Sequence, residues 1–109
     1  MATAPTVSIQ VAPEAATHVA VLGMQRPFQQ MLDHALQTIP GLQSLQVALQ
    51  PPYDVGGGPC VLIEGIRDNP HRNDDPVDRE FAFWQARQFP PEVFQHFTLL
   101  TYYGPNHAG

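Results

Sequence analysis

A chain of 109 residues has room for one domain and one hydrophobic core. It has no lysine, and its five arginines face ten carboxylates for a net charge of −5; that balance argues against the basic face of a nucleic-acid binder and against an anionic membrane surface. One cysteine, Cys60, cannot close an internal disulfide, no apolar run nears the ~20 residues of a membrane span, and Met1-Ala2-Thr3-Ala4-Pro5 lacks the features of a signal peptide, so a cytoplasmic protein is expected.

In chain order, Thr6 to Val11 alternates, with Val7, Ile9 and Val11 on one face, and predicts a half-buried strand. Pro13-Glu14-Ala15-Ala16 is read as a turn and His18 to Leu22 as a second strand, antiparallel to the first because the connection is short. Arg26 to Ile39 carries the clearest helical period, placing Phe28, Met31, Leu32, Ala35, Leu36 and Ile39 on one face. Pro27 suits its first turn and Pro40-Gly41 its end. Aspartate at Leu32 or Leu36 is therefore expected to unfold the domain, and at Gln30 to be tolerated.

Leu42 to Gln50 alternates again, with Leu45, Val47 and Leu49 inward, and a Pro/Gly-rich loop leads to the apolar strand Cys60 to Ile66. A second helix is predicted from Pro76 to Gln88, capped by Asp75 and broken at Phe89-Pro90-Pro91. Glu92 to Phe97 makes at most a turn or two of helix, and Thr98 to Tyr103 is the last strand. Residues 1–5 and 104–109 are expected to be flexible tails of a single domain. The fold class is α+β: a mostly antiparallel four- or five-stranded sheet with two helices on one face. The leading topology is ferredoxin-like, β-(β-α-β-β-α-β). Strands near 18–22, 60–66 and 98–103 are apolar on both faces and are read as interior; 6–11 and 42–50 suit edges.

Chemistry is sparse. Gly56-Gly57-Gly58 joins two strands without a lysine or a following helix, so it is a hairpin loop, not a phosphate cradle. The polar stretch Arg67 to Asp75 lacks EF-hand spacing, and His18, His34, His71, His96 and His107 form no metal-ligand pair. No cofactor or metal is expected, and Cys60 in an apolar strand is an inert thiol. A carboxylate in an apolar strand singles out Glu64, and Tyr53 and Asp54 could reach a ligand from the glycine loop, with Tyr102 and Tyr103 from the last strand. Aromatic residues exceed what one small core needs. Phe83, Trp84, Phe89, Phe94 and Tyr102 are candidate interface residues, with Val77, Phe81 and Trp84 forming the second helix's own core stripe.

Two readings follow. The first is a small non-catalytic binding or assembly domain that acts as a homodimer, with Phe83 or Tyr102 near the interface centre. The second is a small-molecule-binding protein or small enzyme with an aromatic-lined pocket between helices and sheet. The absence of a nucleophile–base pair in the motifs favours the first.

Overall fold

The computed structural model describes residues 7–39, 41–51, 58–67 and 77–103. Strands β1 (Ser8–Val11), β2 (Leu42–Gln50), β3 (Cys60–Arg67) and β4 (Phe97–Tyr103) accompany helices α1 (Pro13–Leu22), α2 (Gln25–Thr38), α3 (Val77–Gln88) and α4 (Pro91–Phe94). The strands form one sheet in the order β1-β2-β3-β4. β1 and β2 are parallel, β2 and β3 antiparallel, β3 and β4 parallel. The α+β class holds, but the sheet is mixed and carries four helices, not two. A ferredoxin-like sheet would insert another strand between the members of each parallel pair; here those members are direct neighbours.

The largest correction concerns 13–22, which is α1 and not a turn followed by a strand. Pro13 occupies the first helical turn, where a missing N–H is harmless, and Glu14 lies near the positive end of the helix dipole. Gly23 adopts φ 70°, and the Gly23 and Met24 N–H groups donate to the Ala20 and Val19 carbonyls, closing the last turn. Val19 and Val21 favour strands intrinsically. A proline start, three alanines, a glycine stop and the burial of Ala15 and Val19 outweigh that preference. Val21 is left 78% exposed on the far side. β1 therefore has no partner at 18–22 and pairs with β2 instead.

One face of the sheet holds the core. Leu45 and Val47 of β2, Val61 and Ile63 of β3, and Phe97 and Leu99 of β4 are buried, while their immediate neighbours on the other face are not. Ile63 lies between Val47 and Leu99 in register. Over them α1 lays Ala15 and Val19, α2 lays Met31, Leu32 and Ala35, and α3 lays Val77, Phe81 and Gln85. The buried Gln85 amide donates to the Phe97 carbonyl at 3.4 Å and to Met31 Sδ at 3.5 Å, joining α3, β4 and α2. Gly65 leaves the space taken by Leu42, whose Cδ1 would lie 3.1 Å from any added Cβ.

Both crossovers advance in the same direction across the sheet, β1 to β2 and β3 to β4, along strands that point oppositely. All helices nevertheless cover one face, so the two connections have opposite hands. One of them is left-handed, against the ~98% preference for right-handed crossovers.

Two further expectations change. Leu36 is 37% exposed and lies outside the buried stripe of α2. β2 is interior and β4 is an edge. That edge is blunted by α3: the Asp78 carboxylate accepts from the Thr101 hydroxyl at 2.6 Å and the Thr101 N–H at 3.3 Å. The Val61 N–H donates to the His96 carbonyl, so in a parallel ladder the odd-numbered β4 amides point outward. Asp78 thus occupies one amide that an incoming strand would use.

Leu32→Asp should cost more than ~4 kcal/mol by burying an unpaired charge, whereas Leu36→Asp should cost less than ~1.5 kcal/mol. Urea unfolding of both variants checks this; equal losses would place α2 in the wrong rotation. Asp78→Ala should cost about 1–2 kcal/mol through its charge-assisted bonds, with Asp78→Asn losing less. An Asp78→Ala variant as stable as the parent would show the contact to be slack.

Candidate functional site

Helices α2 and α3 run in opposite directions over the sheet. Met31 meets Gln85, His34 meets Phe81 and Trp84, and Thr38 and Ile39 come beside Val77 and Glu80. Between them lies a cleft of about 200 Å³ lined by His34, Thr38 and Ile39 of α2 and by Val77, Glu80, Phe81, Trp84 and Arg87 of α3. Its α3 wall follows from helical spacing. Glu80, Trp84 and Arg87 are at i, i+4 and i+7, so a carboxylate, an indole and a guanidinium stand in a row on one face.

The α2 wall is set by His34. Its ring lies parallel to the Trp84 indole, with centroids 3.8 Å apart and an interplanar angle of 3°. Phe81 is tilted against both rings, and Phe89 meets Trp84 edge-on at 5.5 Å. This packing fixes the indole from three sides. The Thr38 hydroxyl donates to the His34 carbonyl at 2.7 Å, which leaves its lone pairs available as acceptors. Desolvation between the helices lowers the His34 pKa below its ordinary value of 6.5, so the imidazole is neutral at pH 7.

The open face of the sheet is the second candidate surface. Register sorts it into rows: Ser8, Ser44, Ile66 and Tyr102; Gln10, Gln46, Glu64 and Leu100; then Ala48, Leu62 and Thr98. The β1–β2 half is therefore hydroxyl and amide, and the β3–β4 half apolar. Glu64 stands at the boundary. Leu100 and Tyr102 are 37% and 44% exposed, Leu62 and Ile66 are half-buried, and no helix among the described residues covers them.

Tyr53 and Asp54 lie outside the described residues, as do His71, His107, Asp75, Pro76 and the glycines 56–57. Glu64 and Tyr102 share the sheet face opposite the described helices, and Tyr103 ends β4. The structure thus separates Glu64 and Tyr102 from the α2–α3 cleft. Trp84 is half-buried in that cleft, Phe89 is buried in the core, and Phe94 packs against it. Phe83 is 56% exposed on the outward side of α3, across the molecule from Tyr102, so one flat interface cannot be centred on both. Cys60 faces Thr98, Sγ to Oγ1 3.4 Å. Among the described residues no three His, Cys, Asp or Glu side chains converge as metal ligands.

Sequence reasoning passed over His34, Glu80 and Arg87. The Glu80-Trp84-Arg87 spacing was legible along α3, but the opposing wall was not, because it depends on how α2 is rotated and how far it reaches along α3.

Since folding lowers the His34 pKa, the folded chain binds that proton less tightly than the unfolded chain. His34 therefore costs nothing above its unfolded pKa near 6.5, and stability is lost as pH falls through the folded value. His34 should titrate below 6.5 by NMR, with the Trp84 emission following the same curve. Titration at or above the ordinary value would contradict the desolvated stack. No protein-family model, no curated protein and no solved structure matches the chain, and the two surfaces are interpreted on their geometry.

Proposed function

We propose that the chain is a non-catalytic assembly domain that covers its open sheet face with a second copy of itself. The observation that carries this reading is the patch of Leu62, Ile66, Leu100 and Tyr102 on β3 and β4, which no described helix covers. Apolar sheet faces are normally closed by a second layer, and the described helices of this chain all lie on the other side.

The face has the composition of an interface: an apolar centre beside a rim of serines and glutamines. Four strands at ~4.8 Å spacing and about seven residues at ~3.3 Å per residue give a footprint on the order of 450 Å² before side-chain relief. Relief brings this toward the ~800 Å² per partner of a standard interface. A two-fold axis in the sheet plane and perpendicular to the strands sets β3 and β4 over the same strands of the partner, apolar half on apolar half. No lysine and no carboxylate besides Glu64 occur in the rows of this face, so the chain's net charge of −5 is carried elsewhere.

Sedimentation or light scattering at tens of micromolar should give a dimer. Leu100→Asp should give a folded monomer, because Leu100 is already partly exposed in one chain. Phe83→Asp should leave the dimer intact. A monomeric parent overturns the reading, and dissociation by Phe83→Asp with no effect of Leu100→Asp would move the interface to the helix layer.

A further inference from the structure

We infer that the α2–α3 cleft binds a small extended zwitterion, a molecule with an ammonium at one end and a carboxylate at the other. This site is on the helix layer and is independent of the sheet-face assembly, so either can fail without the other.

The argument rests on polarity along the cleft. At one end Glu80 lies beside Thr38 and Ile39, where α2 terminates. The last carbonyls of a helix lack intrahelical donors and carry the negative end of its dipole. Among the described residues, the Ile39 N–H claims one of them, at Ala35. Carboxylate, hydroxyl oxygen and helix terminus all favour a cation there. At the other end Arg87 offers a planar fork of donors suited to a carboxylate. Among the described residues neither Glu80 nor Arg87 is engaged in an ion pair with a protein group, and seven residues of helix separate their backbones by about 10 Å.

Between the charged ends the surface is apolar: Ile39, Val77, Phe81 and Trp84. His34, neutral at pH 7, adds no charge to this middle stretch. A ligand with adjacent charges would satisfy only one end, so the spacing selects charges held several bonds apart. A cavity of ~150 Å³ holds a benzene ring; one of about 200 Å³ admits a slightly larger molecule, the size of an ω-amino acid.

Trp84 is the only tryptophan in the chain, so its emission reports on this cleft and nowhere else. Three probes share one alkyl chain: 6-aminohexanoate carries both charges, hexanoate the anion and hexylamine the cation. Titrated at pH 7, 6-aminohexanoate should change the emission saturably and at least tenfold more tightly than either single-charge probe. Arg87→Gln should reduce its affinity to that of hexylamine, and Glu80→Gln to that of hexanoate. Both side chains are exposed, so neither variant threatens the fold; circular dichroism confirms this. Equal affinity for all three probes, indifference to both substitutions, or no saturation by 6-aminohexanoate would overturn the assignment.

Discussion

Coverage of one sheet face, and only one, is the constraint from which the remaining features of this molecule follow. Four helices are spent on the face that presents Leu45, Val47, Val61, Ile63, Phe97 and Leu99. Two connections that cross the sheet in the same sense along antiparallel strands can share a face only by adopting opposite hands. The chain accepts a disfavoured connection and in return gathers α1, α2 and α3 into one layer over one core. Had both crossovers been right-handed, the helices would have split between the faces, leaving each core half as deep and no α2–α3 contact.

That single layer makes α3 a three-sided element. Val77, Phe81 and Gln85 face the sheet at i, i+4 and i+8. Glu80, Trp84 and Arg87 face α2, and Phe83 faces outward. Asp78, next to the sheet stripe, reaches past it to the exposed edge of β4. Helical geometry lets twelve residues serve these separate directions because each residue is turned ~100° from the last. Gln85 shows what the arrangement demands in return. A buried amide must find partners, and it finds the Phe97 carbonyl and the Met31 thioether. A leucine there would fill the space but would leave the rotation of α3 against α2 fixed by packing alone.

The fold was partly legible in the sequence, and the errors have a common cause. Strong periodicity located α2, α3, β2 and β3, since Met31, Leu32 and Ala35 or Leu45 and Val47 repeat at spacings that only one secondary structure satisfies. His18-Val19-Ala20-Val21-Leu22 is too short and too uniformly apolar to carry a period. Its neighbours Pro13 and Gly23 decide it, and their role as helix boundaries emerges only when the ten residues between them are weighed together. Misreading that segment displaced the strand pairing of β1 and with it the topology. The apolar character of 98–103 suggested an interior strand, but no described element covers its second face, and its edge is blunted at Thr101 by a side chain from 23 residues earlier in the sequence. Sequence periodicity reports that a face is apolar. It does not report what covers it.

The same limit explains why the candidate surfaces were only half visible. Leu62, Glu64, Ile66, Leu100 and Tyr102 could be assigned to strands from the sequence, but their gathering into rows needs the β2–β3 and β3–β4 registers. The cleft is a harder case, since α2 and α3 are joined through two strands and a sheet pairing. His34 sits on the side of α2 that the hydrophobic period marks as polar, and reads as a solvent histidine. It becomes part of a site because Trp84, one turn past Phe81, extends beyond the core stripe of α3 and needs a flat partner for its exposed face. Imidazole supplies a flat face at 3.8 Å and can keep its ring nitrogens toward water at this half-open position. The half-buried His34–Trp84 stack and the buried Gln85–Met31 contact therefore join the same two helices at two depths, and the cleft opens at the shallower of them, where both stacked rings line it.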